Sequence, residues 1–279
     1  MINILIITPI WQRPAITEIC FAGFSRIRRY KPKEVKFKML ACISEPEMKP
    51  LCDKYGVMSV FHENTPLGRK KNFLLQEALK LNFDYLMELN SDDIIKNELV
   101  DKYIQLIKNG VDYVTLRNFC YMDSKTGHMN QIDSQTAFAI GKLVKRELVE
   151  KAATVVGVRM FKTLLLETGV VQEGEIYDLR PDIAEKMIRG GNAELVHGET
   201  RLWANHLNRG LDNSADNRMR THGLISYGLR TEEPYAVDIK SDVNIWNFNP
   251  TYGVKYPWED FKKGLSEIEI EKIECLKQV

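Results

Sequence analysis

Asn90-Ser91-Asp92-Asp93 sets two adjacent carboxylates and an upstream amide at the end of an apolar run, Tyr85, Leu86, Met87 and Leu89. Oxygen donors of this kind are what hard divalent cations take, and two such acids leave coordination positions open for phosphate oxygens. The run is too short for a helix and stops at polar residues, so Phe83–Leu89 reads as a strand with the acids at its carboxyl end. Ligands of open α/β sheets bind at such ends. Ser91-Asp92-Asp93 ahead of Ile94-Ile95 also has the composition of an ordinary helix N-cap, and these residues alone leave both readings standing.

A second grouping precedes it. Pro66-Leu67-Gly68-Arg69-Lys70-Lys71-Asn72 opens a helix whose apolar stripe is Leu74, Leu75, Ala78 and Leu79. Three cations near its start oppose the helix dipole unless an anion sits there, and a helix N-terminus is suited to a diphosphate. A solvated basic first turn is the plainer alternative. Between Arg26 and Lys38 there are seven basic residues and one acid, Glu34, which fits either a solvated helix end or a surface for an anionic partner.

The elements that position these groups follow from periodicity. Ile4-Leu5-Ile6-Ile7 is a continuous apolar run, the pattern of a strand buried on both faces, and Thr8-Pro9 closes it. A helix follows from Ile16 to Ile27, a strand at Val35–Ile43, a short helix at Glu47–Tyr55 stopped by Gly56, and a strand at Val57–Phe61. After the helix opened at Pro66 and the strand at Phe83–Leu89, Asn97–Lys108 reads as a helix and Asp112–Leu116 as a strand. Alternation of this kind predicts a parallel, doubly wound sheet.

Beyond Arg117 the spacing predicts a hairpin turn over Cys120–Met129, a strand at Ala137–Ile140, a helix at Val144–Ala152, a helix at Pro181–Arg189 and a strand at Ala193–Val196. Val155–Glu175 stays ambiguous. A short helix is expected over Ser214–His222, a strand at Tyr235–Ile239, and a charged helix, read as a packing arm, over Trp258–Val279.

Composition narrows the class. A chain of 279 residues, 44% hydrophobic, can bury one large core with an appended lobe. Five cysteines, odd in number and without a C-x-x-C pair, indicate neither a disulfide framework nor a zinc site and suit a reducing compartment. The apolar start lacks a basic leader and soon meets Trp11-Gln12-Arg13-Pro14, and no run has the length of a membrane span, so a cytoplasmic protein is expected. A net charge of +1 is small for a purely electrostatic nucleic-acid binder.

Taken together, the motifs resemble the family-2-type glycosyltransferases of the GT-A fold. The matching pieces are Ile6-Ile7-Thr8-Pro9 with Arg13 close behind, an acid after the second strand at Glu45, the Gly68-Arg69-Lys70-Lys71-Asn72 helix start, and Asn90-Ser91-Asp92-Asp93, with Asn90 standing where the family more often has Asp. The resemblance implies an α/β fold with a mostly parallel central sheet flanked by helices and a C-terminal acceptor-side region. It divides the chain into a nucleotide-sugar half (1–118), an acceptor and base half (119–258) and a helical arm (259–279). It implies Thr8, Arg13, Glu45, Gly68, Lys70, Lys71, Asn90 and Asp92 at the nucleotide-sugar, and Asp92, Asp93 and His206 around Mn2+ or Mg2+. Asp182, opening the helix before Gly190-Gly191, becomes the expected catalytic base, with Asp212 second and Asp178 behind. Taken singly, Asp182 is also an acid favoured by the helix dipole, Asp212 an Asx turn, and His206 a structural histidine.

The implied activity is inverting transfer of a sugar from a nucleotide-sugar, UDP-linked by expectation, to an acceptor hydroxyl. A loose resemblance of Asn208–Ser214 to viral and phage members, with the basic segment, points to a hydroxymethylated base in DNA as acceptor. The alternatives are a glycosyltransferase of surface polysaccharide synthesis and a sugar-phosphate nucleotidyltransferase, whose usual Gly-rich first turn is missing from Thr8–Arg13.

Overall fold

Every residue from Ile4 to Ile7 is buried, because the strand they form is covered on both sides. The computed structural model describes residues 1–133, 140–166, 169–200, 219, 226–242 and 248–277. Its first elements are β1 (Ile2–Ile10), α1 (Pro14–Arg29), β2 (Val35–Ile43), α2 (Lys49–Tyr55), β3 (Met58–Phe61), α3 (Leu67–Leu79), β4 (Tyr85–Glu88), β5 (Asp93–Ile95), α4 (Asn97–Lys108) and β6 (Tyr113–Leu116). There follow β7 (Asn118–Asp123), β8 (Met129–Asp133), β9 (Lys142–Lys145), α5 (Arg146–Ala153), β10 (Thr154–Met160), β11 (Leu164–Leu166), β12 (Gly169–Val171), β13 (Ile176–Leu179), α6 (Pro181–Arg189), β14 (Ala193–Thr200), β15 (Ser226–Leu229), β16 (Ala236–Lys240) and β17 (Val254–Lys255).

The main sheet runs β15-β6-β9-β4-β1-β2-β3, with β9 antiparallel to both its neighbours and the other pairings parallel. This is the expected α/β architecture, a mostly parallel sheet flanked by helices. Alternation along β1 explains the two layers. Ile4, Ile6 and Ile10 join a core with Phe21 and Phe24 of α1 and Leu99 and Tyr103 of α4. Leu5 and Ile7 face the other way, onto Leu74 and Leu75 of α3 and Val149 of α5.

A second sheet, β17-β8-β7-β16-β5, packs Ile94, Cys120, Met122, Val237 and Ile239 against Ile16 and Ile19 of α1 and against Phe261 and Ile273 near the C-terminus. Helix α1 is therefore clamped between two sheets, and β5 is held beside β16 at the end of β4. A third, outlying unit is formed by β13-β10-β14 with α6, closed over Val158, Met160, Leu179 and Ala184.

Three expectations are corrected. The described strand near residue 140 is Lys142–Lys145, because Val144 pairs with Leu86 and Tyr113 instead of opening a helix; residues 134–139 of the expected strand lie outside the described residues. Residues 93–95, read as the approach to a helix, form β5. The expected C-terminal helix is two: Trp258–Phe261, then Glu267–Leu276 opened by a Ser266–Glu269 capping box. Among the described residues no helix is long and apolar enough to cross a membrane.

Candidate active site

Strand β4 delivers Asn90, Ser91 and Asp92 to the carboxyl end of the main sheet, and the chain turns directly into β5 at Asp93. Antiparallel pairing of β5 with β16 sets Asp93 opposite Asp238. One oxygen from each of Asp92, Asp93 and Asp238 lies within 4.8 Å of the others, a spacing that suits one cation. Asp93 is wholly buried, and one of its oxygens accepts the Asn90 backbone N–H at 2.7 Å. Its other oxygen and one oxygen of Asp238 are buried without a hydrogen-bond partner among the described residues. Leaving a buried acceptor unpaired costs about 1–3 kcal/mol, so these two orphaned oxygens mark a place where a cation fits.

Two cations flank the acids. Arg13 Nη1 pairs with Asp92 at 2.8 Å and its Nη2 donates to Ser91 Oγ at 3.3 Å. Arg13 reaches them from a strained turn, since Gln12 and Arg13 have φ of 56° and 54°, a left-handed conformation that costs a non-glycine residue about 1–2 kcal/mol. The Gln12 N–H donates to Glu45 Oε2 at 3.3 Å. On the other side Lys240 Nζ pairs with Asp238 at 2.5 Å and lies 4.6 Å from the Tyr121 ring centroid. Burial raises the Asp238 carboxyl to about 6 against the pull of Lys240. Burial raises Asp93 as well, reinforced by Asp238 and Asp92. For Lys240 burial acts downward, but Asp238 and Asp92 outweigh it and the ammonium is raised.

The basic start of α3 turns inward. Lys70, wholly buried, donates to the Ile10 carbonyl, to Ser44 Oγ at 2.6 Å and to Asn64 Oδ1 at 3.2 Å, and burial lowers it to about 8. It thereby ties the ends of β1 and β2 to the loop before α3. Lys71 forms a buried ion pair with Glu88 of β4. Gly68 is buried in the same turn, Thr8 is buried with an Oγ1 that has no hydrogen-bond partner among the described residues, and Glu45 is partly exposed.

Of the residues singled out by sequence, Thr8, Arg13, Glu45, Gly68, Lys70, Asn90, Asp92 and Asp93 thus gather around the carboxyl ends of β1, β2 and β4 or the adjoining first turn of α3. Asp182 does not join them. It stands on α6, which packs on β10 and β14; its side chain is 68% exposed and lies 3.1 Å from Arg180. His206 and Asp212 lie outside the described residues. Asp238 and Lys240 were missed. The signal available was the strand Ala236-Val237-Asp238-Ile239-Lys240, in which two charges share one face of an otherwise apolar run.

No protein-family model and no curated protein matches the chain. Among solved structures it is similar to TarS from S. aureus in complex with UDP-GlcNAc, at 12% identity and a TM-score of 0.45 over 98% of this chain and 66% of that one. It is similar to the mannosyltransferase PcManGT from Pyrobaculum calidifontis in complex with GDP-Man and Mn2+, at 11% identity and a TM-score of 0.46 over 85% of this chain and 56% of that one. A third similarity is to glucosyl-3-phosphoglycerate synthase from Mycobacterium tuberculosis in complex with Mg2+ and UDP, at 14% identity and a TM-score of 0.36 over 54% and 58%. The chain spans less than two thirds of the length of each.

Proposed function

We propose that the chain is a metal-dependent, inverting glycosyltransferase that moves a sugar from a nucleotide-sugar, UDP-linked in our reading, to an acceptor hydroxyl. The observation that carries it is the three-carboxylate cluster at the carboxyl end of the parallel strands, with two buried oxygens unpaired among the described residues. Asp92, Asp93 and Asp238 would hold Mn2+ or Mg2+, with His206 a further ligand in this proposal, and the ion when bound supplies positive charge to the leaving diphosphate. Thr8, Arg13, Glu45, Gly68 and Asn90 form the nucleotide wall, which Lys70 and Lys71 brace from inside.

In the transfer the acceptor oxygen bonds to the anomeric carbon as the bond from that carbon to the phosphate oxygen breaks. The acceptor proton passes to a carboxylate, for which Asp182 and then Asp212 are our assignments. A nucleotidyltransferase is disfavoured by the first turn, where the left-handed positions are Gln12 and Arg13 in place of phosphate-cradling glycines. A hydroxymethylated base in DNA stays a second reading of the acceptor, resting on the basic segment Arg26–Lys38, whose Arg26 is engaged by Glu269, Asn97 and the Ile95 carbonyl.

Thermal denaturation with UDP or GDP, with and without Mn2+, tests the reading. A metal-dependent rise in Tm is expected, about 2.7 kcal/mol of stabilisation at a hundredfold excess over Kd; no shift with any nucleotide sinks it. For the base, Asp182→Asn should abolish transfer and leave nucleotide binding intact, whereas full activity transfers the role to Asp212.

A further inference from the structure

Immediately beyond the carboxylates, the carboxyl ends of the parallel pair β7 and β16 open into a cavity of about 390 Å³, lined in part by Asp123, Lys125, His128, Lys240, Asp242 and Phe248. Lys240 belongs to both places: it lines the cavity, and its Nζ pairs with Asp238. Asp238 and Lys240 are two residues apart on one strand and so share a face, which puts the cavity beside the cluster.

The lining selects a ligand class. Two carboxylates, Asp123 and Asp242, balance two ammoniums, Lys125 and Lys240, so the described lining carries no excess positive charge of the kind a polyphosphate backbone needs. Asp123 is committed to its own turn, accepting from Lys125 N–H at 3.1 Å and Thr126 Oγ1 at 2.6 Å. Lys125 pairs with Asp242 at 2.5 Å. What remains is a rim of paired donors and acceptors beside two tilted rings, His128 and Phe248, with centroids 6.5 Å apart. Alternating hydroxyl and C–H surface, as on a sugar ring or a linear polyol, fits paired polar groups on one side and an aromatic face on the other, and the volume lies in the range of small-molecule sites.

We propose that this cavity is the acceptor subsite of the transferase, and that it takes a neutral polyhydroxylated group seated on Phe248 and held by Asp242 and Lys125. The assignment rests on the glycosyltransferase reading above. It places the acceptor's hydroxyls next to the carboxylate cluster.

Saturation-transfer NMR on the full chain, with methyl glycosides, ribitol and a short hydroxymethylated DNA duplex as separate probes, tests it, with UDP·Mn2+ binding measured in parallel by calorimetry. Glycosides or ribitol should bind, the better of the two showing whether the source is a ring or an open polyol. Phe248→Ala and Asp242→Ala should each weaken that binding about tenfold, the loss of roughly one good contact, with the Kd for UDP·Mn2+ unchanged. Absence of binding by both glycosides and ribitol, binding that survives both substitutions, or displacement of the sugar by the duplex overturns the subsite. If UDP·Mn2+ does not bind the wild-type chain while a polyol still binds at Phe248, the transferase reading fails and the acceptor role falls with it, leaving a sugar site alone.

Discussion

Asp238 gives the cluster a pH dependence whose sign follows from its raised carboxyl. The folded group keeps its proton up to about 6, against an ordinary value of 3.8. The fold therefore gains from this residue below 3.8, and that gain is lost as pH rises through about 6. Metal-free protein is expected to melt lower at about pH 7.5 than at about pH 5, and Asp238→Asn, which cannot ionise, flattens that part of the profile. A bound cation competes with the same proton, so Mn2+ affinity should fall as pH drops below about 6. Scanning calorimetry in chelator and titration calorimetry with Mn2+ check the two statements. A variant that retains wild-type affinity for Mn2+ removes Asp238 from the ligand set. In the other arm of the site, Asp92→Asn leaves Arg13 in a strained turn without its carboxylate. A loss of about 3–5 kcal/mol, as for a broken buried pair, is the upper bound, because Arg13 retains 15% side-chain exposure and Ser91 as a partner.

At the scale of elements, the C-terminal helix Glu267–Leu276 is tied to α1 by one residue used three ways. Glu269 accepts from Arg26 Nε at 2.8 Å and Nη2 at 3.0 Å, and it closes the capping box with Ser266. Arg26 Nη1 also reaches Asn97 Oδ1 and its Nη2 the Ile95 carbonyl, so this pair holds α1, β5 and α4 together behind the carboxylates. Glu269 is wholly buried and Arg26 partly so. Glu269→Ala leaves the guanidinium with Asn97 and the Ile95 carbonyl only, so about 3–5 kcal/mol is the upper bound of the loss, read from urea unfolding. By contrast the pair Lys108–Glu34 is exposed and screened by solvent, and Glu34→Ala should be nearly silent.

Elements with local signals were legible: β2 at Val35–Ile43, α4 at Asn97–Lys108 and α6 at Pro181–Arg189 have the bounds read from sequence, because alternation, helical stripes, Pro181, Gly110 and Gly190-Gly191 are all local. Strand β5 was not, since three residues carry no periodicity and its partner β16 lies far along the chain. For the same reason Asp92 and Asp93 could be read as a candidate site, whereas Asp238 gains its meaning only from a nonlocal pairing. The cations of α3 fit either an anion or a solvated first turn by sequence, because spacing does not reveal that Lys70 and Lys71 turn toward Ser44 and Glu88.

The molecule as a whole divides its stability unevenly. The strands that carry the site are buried on both faces and cross-braced by α1, α3 and α4. The unit of β10, β13, β14 and α6 closes over a small cluster of its own, Val158, Met160, Val171, Leu179, Ala184 and Ala193, while Leu165, Val170 and Leu195 stay exposed. Segments with few buried apolar contacts open at lower free energy than the core. Native-state hydrogen exchange should therefore show the amides of β10, β13 and β14 opening sub-globally, well before those of β1, β2 and β4, which exchange only by global unfolding. Because Asp182 belongs to that outlying unit, its assignment as base carries a further requirement. Saturating nucleotide-sugar with Mn2+ must slow exchange in α6 as well as around Asp92, since a base that meets the acceptor cannot remain on a unit that opens independently of the loaded site. Protection confined to the carboxyl ends of β1, β2 and β4, with α6 unchanged, would separate Asp182 from the reaction without touching the metal cluster.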